Sequence, residues 1–184
     1  MTRLVVLAGP TAVGKGTLVR ALRERSPDIW VSVSATTRPA RPGEVDGEHY
    51  HFVSETEFSG MIERGDLLEW ATVHGKHRYG TPRGPVEEHL AADVPSLLEI
   101  DLQGARQVRR AMPEALYVFI EPPSMEELVR RLVGRGTEDD LERERRLLTA
   151  KIEMAASKEF DVIIINDDLD IAVTQLEALV LAAG

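Results

Sequence analysis

The chain has 184 residues, 43% of them hydrophobic and 29% charged, and no cysteine. That is apolar material for one domain with a real core, and it excludes disulfides and thiolate metal sites. A net charge of −9 argues against a broad nucleic-acid footprint, which needs a basic surface. Any bound anion must therefore be met by locally clustered arginines and backbone amides.

In chain order, Leu4 to Ala8 reads as a short buried strand, followed by a glycine-rich turn and a helix from Gly16 to Arg25. The apolar run after Met1-Thr2-Arg3 is too short for a signal peptide, and no stretch reaches membrane-spanning length. With no cysteine to oxidise, a cytoplasmic protein is expected. Ile29 to Ser34 alternates like a strand, residues 35–48 read as an ordered loop, and His49 to Val53 as a strand. Ser54 and Glu57 form a capping box opening a helix with Phe58, Met61 and Ile62. Leu67–Val73 and Lys76–Thr81 read as a hairpin, residues 84–92 as a helix, and Val94–Ile100 as a buried strand ending at Asp101. A helix to Ala111 and a strand from Ala115 to Ile120 come next. Ser124 and Glu127 cap a helix to Arg135, and a charged helix covers 140–158. Val162–Ile165 is a short apolar strand, and a last helix starts at Leu169. Continuous apolar strands alternating with helices predict an α/β fold, a parallel sheet with helices on both faces. The β-rich segment interrupts that alternation as an inserted lobe. The expected division is a core of residues 1–33 and 82–184, a lobe of 34–81 and a small helical lid at 134–146.

Gly9-Pro10-Thr11-Ala12-Val13-Gly14-Lys15-Gly16-Thr17 lies between the first strand and first helix. This is the P-loop pattern in the context it requires, so the sheet is of P-loop NTPase type. Its glycines let successive N–H groups turn inward, and the helix N-terminus adds positive potential. Lys15 can bridge outer phosphates and Thr17 can donate a hydroxyl. After Lys15 the pattern usually carries Ser or Thr to ligate magnesium. Gly16 stands there, so the protein supplies no direct metal ligand and magnesium is held through nucleotide oxygens and water.

Arg38 and Arg41 sit three apart on a Pro- and Gly-rich loop, with Tyr50, Glu69, Tyr79 and Thr81 further on. Two arginines and a tyrosine hydroxyl can clamp a monophosphate, although an isolated Arg-x-x-Arg is more often solvated surface. Period two puts Glu99 and Asp101 on one face at the carboxyl end of a strand, where ligands bind in such sheets. Helix-capping acids are the alternative there.

The stretch SATTRPARPGEVDGEHYHFVS resembles the monophosphate-binding signature of the guanylate kinase family. LEWATVHG, YGTP, LEIDLQGA, RLVGRGT, ERRL and IINDDLD continue the resemblance in order, from Leu4 to Asp170. It implies ATP-dependent phosphorylation of GMP, with dGMP as a further acceptor, in purine metabolism and GMP recycling. ATP and GMP would be the partners and Mg2+ the cofactor. Arg38, Arg41, Tyr50 and Tyr79 would hold the GMP phosphate, while Ser34, Glu69, Thr81 and Asp101 would read guanine, with Glu99 beside them. Asp101 would meet guanine, a magnesium-bound water, or both. Guanine offers N1–H and an amino group to one carboxylate, and adenine lacks that pair, so Glu69 would be left unpaired by AMP.

Arg131 and Arg135 share a helix face, Gly134 and Gly136-Thr137 supply a hinge-like break, and Arg146 follows in the next helix. The resemblance selects these three arginines as a lid over ATP. With Lys15 and Arg38 they make up the expected catalytic set. Asn166 matches a family position near adenine. No general base is needed, because the acceptor phosphate is already ionised. His49 with His51 and His74 with His77 lack a third ligand, so no metal is expected on them. Two other readings are a P-loop kinase for a phosphorylated sugar, which Glu69 and Thr81 disfavour, and a peptide-binding scaffold domain, which Lys15 and the lid arginines disfavour. The sequence leaves the oligomeric state open.

Overall fold

The computed structural model describes residues 3–73, 75–133 and 140–183, without the side chains of 133, 140–143 and 146. β1 (Val5–Ala8) leads into α1 (Lys15–Arg25). β2 (Trp30–Val31), β3 (Ala35–Thr36), β4 (His51–Phe52), α2 (Glu55–Arg64), β5 (Leu67–Val73) and β6 (His77–Pro82) follow. Then come α3 (Arg83–Ala91), β7 (Ser96–Glu99), α4 (Leu102–Ala111), β8 (Leu116–Glu121) and α5 (Met125–Val133). α6 (Asp140–Ala155), one 3-10 turn, β9 (Val162–Ile165) and α7 (Leu169–Ala182) complete the chain.

Among the described residues the strands form two sheets. One is parallel throughout, in the order β2-β7-β1-β8-β9. The other is mixed, in the order β4-β3-β6-β5. Alternation along β1 explains its unbroken apolar run. Val5 and Leu7 pack with Leu18 and Leu22 of α1 and Leu176 of α7. Val6 and Ala8 pack on the opposite face with Val86 of α3 and Val108 of α4. A strand covered on both faces has no position for a polar residue, and each fully buried Val or Leu contributes about 1.5–3 kcal/mol.

Two segments depart from the sequence reading. The alternating stretch Ile29–Ser34 is not one strand. β2 ends at Val31, where Ser32 N–H makes a last bond to Leu97 O, and β3 starts at Ala35 in the other sheet. Residues 35–48 accordingly begin as strand and only then become loop. β9 is apolar at all four positions but forms the sheet edge, with Ile164 buried and Ile163 and Ile165 exposed. Apolar periodicity reports composition and does not say what covers a face.

Both predicted caps form in their first half. Ser54 Oγ accepts from Glu57 N–H at 3.1 Å, and Ser124 Oγ from Glu127 N–H at 3.2 Å. Glu127 does not reach back, because its carboxylate turns to Arg130 and Arg131. For function the decisive register is Leu7 beside Glu99, which sets the end of β7 next to the turn leaving β1. In the second sheet Glu69 pairs with Thr81 across the β5–β6 ladder.

Candidate phosphate- and base-binding site

The turn between β1 and α1 is shaped by contacts that forbid side chains. A Cβ at Gly9 would stand 2.6 Å from the carbonyl oxygen of Ile120, so only glycine lets the loop pass β8. Gly14 has φ of +100°, and a Cβ there would lie 2.7 Å from Nδ2 of Asn166. Lys15 Nζ donates to the carbonyls of Gly9 at 2.6 Å and Pro10 at 3.2 Å. Burial lowers its pKa, opposed by the charges of Glu99, Glu153 and Asp101. Three side chains hold the loop backbone in place. Asn166 donates Nδ2 to Val13 O at 2.9 Å, Arg131 donates Nη1 to the same oxygen at 3.1 Å, and Glu153 accepts Thr11 N–H at 3.0 Å. Arg131 is itself oriented by Glu127 Oε1 at 2.8 Å from its Nε.

In front of the loop lies a cavity of about 670 Å³ lined by residues 11–17, Glu99, Arg130 and Arg131. Beside it is a second cavity of about 410 Å³. Ser34, Arg38, Arg41, Tyr50, Glu69, Tyr79, Glu99 and Asp101 all line it, with Ala71, Val73 and Ile100 as apolar wall. Lys15 and Glu99 belong to both cavities, so the two spaces meet at one cation and one carboxylate.

The second cavity holds two groups of polar side chains. In the first, Arg38 is buried, its guanidinium paired bidentately with Glu44 at 2.8 and 2.9 Å, and its Nε donates to Tyr79 OH at 3.2 Å. It stacks over Tyr50 at 5.3 Å, and Tyr50 meets Tyr79 edge-on. Arg41 is exposed, and its N–H reaches the same Glu44 at 2.7 Å. Arg38 holds the Glu44 carboxyl at about 2, well below the usual range. In the second group Glu69 is buried and accepts the Thr81 hydroxyl at 2.7 Å. Burial pushes its pKa up to about 7, with the Thr81 bonds opposing and Asp101 adding to the rise. Glu99 is likewise raised by burial, against the pull of Lys15. Asp101 caps α4, its Oδ1 accepting Gly104 N–H at 2.7 Å. The capping alternative weighed for Asp101 is thus realised, while the same side chain still lines the cavity.

Of the residues singled out from the sequence, Gly9 and Pro10 sit behind the cradle and offer carbonyls to Lys15. Thr81 lies buried behind Glu69 and does not line the cavity. Asn166 lies beneath the loop, on Val13. Arg131 lines the first cavity. Arg135 and the Arg146 side chain lie outside the described residues, as do residues 134–139 of the expected lid. Glu44, Glu153, Gly104 and Gln107 carry no role in the sequence reading, although Glu44 and Gly104 fall inside stretches that carry the resemblance, and Glu127 figures there as a helix cap rather than as the holder of Arg131. Glu153 and Gln107 meet partners far off in the chain.

The fold and site together define a P-loop protein with an anion cradle opening onto a second, arginine- and carboxylate-lined pocket. The guanylate kinase family model matches residues 1–183. Over 180 residues the chain is 58% identical to the guanylate kinase of Frankia casuarinae, covering 98% of this chain and 97% of that protein. The crystal structure of guanylate kinase from Anaplasma phagocytophilum superposes with a TM-score of 0.79 at 34% identity, over 98% of this chain and 85% of that one. A shikimate kinase from Bacteroides thetaiotaomicron, at TM-score 0.52 and 17% identity, covers 98% of this chain and 99% of that one and shares the fold alone. The chain belongs to the guanylate kinase family.

Proposed function

We propose that the P-loop cavity holds ATP and the second cavity holds GMP, with the transferred phosphoryl group passing at Lys15. The reaction is ATP-dependent phosphorylation of GMP to GDP. The observation that carries the residue-level reading is the sharing of Lys15 and Glu99 by the two cavities. A lysine at that junction can contact phosphates from both sides while the loop amides fix the donor. Lys15 would leave the carbonyls of Gly9 and Pro10 for phosphate oxygens. That exchange trades neutral acceptors for charged ones, which is favourable.

In the acceptor pocket Arg38, Arg41, Tyr50 and Tyr79 would hold the GMP phosphate, and Glu69 with Ser34 and Asp101 would read the base; Thr81, expected from the sequence to read it too, is spent behind Glu69 and would act by holding that carboxylate. Arg131, Arg135 and Arg146 would neutralise charge around the transferring group, and closure of 134–146 would exclude water. Asn166 would keep the loop in shape beside adenine. We divide the chain accordingly into a core of 1–33 and 82–184, an acceptor lobe of 34–81 and that lid.

Magnesium fits the oxygen donors at and beside the junction. Glu99 and Asp101 are hard carboxylates, and Gly16 brings no hydroxyl, so they would hold the ion through water. When bound it supplies charge neutralisation between the phosphates. dGMP is a second acceptor in this reading, and the role is recycling of GMP into the guanine nucleotide pool. Among the described residues no helix is long and apolar enough to cross a membrane; we place the protein in the cytoplasm.

A coupled assay with MgATP and GMP, dGMP, AMP, CMP or UMP in parallel tests this. Turnover with GMP and dGMP is expected, and its absence with GMP sinks the reading. Glu69→Gln is expected to lower kcat/KM for GMP by about 100-fold, as for a lost charged hydrogen bond, with the KM for ATP unmoved. A fall in ATP affinity instead would overturn the assignment of the two cavities.

A further inference from the structure

β5 is the edge strand of the second sheet, and an edge strand leaves backbone groups without a ladder partner. At Trp70 a side chain takes that place. Gln107 of α4 donates Nε2 to Trp70 O at 2.8 Å and accepts Trp70 N–H on Oε1 at 3.2 Å. One amide thus supplies both bonds a neighbouring strand would have made. It fixes the backbone of the residue next to Glu69.

One helical turn earlier on α4, Gly104 faces Glu69 itself. A Cβ at this position would stand 2.7 Å from Glu69 Oε2 and 3.1 Å from its Cδ. The Gly104 N–H is held by Asp101, and the opposite carboxylate oxygen of Glu69 is held by Thr81. The carboxylate is therefore seated between a hydroxyl on β6 and the bare Cα of a helix that packs on the parallel sheet through Ala105 and Val108. The same sheet's β1 leads into the loop that ends at Lys15.

We propose that Gly104 and Gln107 are positioning residues for base selection: α4 sets where the Glu69 carboxylate stands, and so ties the base reader to the element that carries the phosphate cradle. The proposal rests on Glu69 reading guanine. A carboxylate discriminates by meeting two donors at once, and a displacement of well under an ångström spoils one of the two bonds. Gly104 is required here for space. It lies inside a helix with ordinary backbone angles, where alanine is the better helix former.

The test uses Gln107→Ala and Gly104→Ala in the full chain, measuring kcat and KM for GMP and for IMP, which lacks the 2-amino donor, together with the KM for ATP. Each variant is expected to raise the KM for GMP about tenfold and to narrow GMP-over-IMP selectivity by a similar factor, because one hydrogen bond to a charged group is spoiled. The KM for ATP should not move. General loosening would weaken GMP and IMP alike and leave their ratio intact. Glu69→Gln is run alongside. If it leaves the ratio unchanged, Glu69 does not read the base. If it collapses the ratio while both α4 variants preserve it, the base reading stands and the positioning role is overturned.

Discussion

In the proposed reading the two cavities solve the same problem, holding an anionic nucleotide, with different materials. The cradle after β1 is made of backbone: a loop with glycines required for space, and one lysine parked on the neutral carbonyls of Gly9 and Pro10. The neighbouring pocket is made of side chains, and two of its charged groups are already held. Arg38 rests on Glu44, and Glu69 is held by Thr81. Backbone amides recognise phosphate whatever base is attached, so a backbone-built site cannot choose a nucleotide. Selectivity has to come from the side-chain pocket, where a buried carboxylate left without donors is costly. Pre-pairing keeps Arg38 in one rotamer before substrate arrives, which lowers the entropy lost on binding.

The comparison breaks most sharply at Lys15. Lys15→Met should lower kcat by about 10²–10³-fold, since it removes a cation aimed at the developing charge. Steady-state rates at saturating substrates measure this; near-normal turnover would mean that the amides suffice. Next in size is a pH effect confined to the acceptor side. Glu69 must be ionised to accept two donors, and in the free protein it titrates near 7. Below that pH the protonated form dominates and cannot accept both. The KM for GMP should therefore rise toward tenfold per pH unit from pH 7 to 6, with the KM for ATP flat. Glu69→Gln should abolish the slope, and a slope that survives would assign the titration to another group. The smallest effect is expected at Asn166→Ala. It removes one of two donors to Val13 O, so the KM for ATP should rise about fivefold, corresponding to about 1 kcal/mol. GMP-over-IMP selectivity should stay fixed, and a change in it would show that the two sites are not separable.

The cradle was readable in the sequence because a backbone motif must repeat its glycines at fixed spacing. The parallel sheet was readable because strands buried on both faces are apolar throughout. The proposed acceptor residues are named by family resemblance; from spacing alone, Arg-x-x-Arg looks like solvated surface. The structure buries Arg38 and leaves Arg41 exposed, a difference set by Glu44 and the stacked Tyr50. What stayed hidden are pairings across long separations: Gln107 with Trp70, 37 residues apart, and Glu153 with Thr11, 142 apart. Such contacts leave no local pattern, because the partner is brought in by the fold. The break within Ile29–Ser34 was hidden for a related reason. Two strands in different sheets can share one alternation, and only pairing tells them apart.

One detail of the second sheet bears on how such a molecule can diversify. Ala35 pairs with Gly80, so the chain departs for that sheet and comes back from it side by side. An insertion with adjacent ends closes a loop that the host already tolerates, whatever the length between. In the proposed division the segment would act as a cassette: a different acceptor reader could be spliced in without rethreading the strands that lead into the phosphate cradle. The seam at Gln107 and Trp70 adds a compatibility rule. A transplanted cassette needs an α4 whose amide and bare Cα match its own edge strand, so donor and recipient helices must be exchanged together.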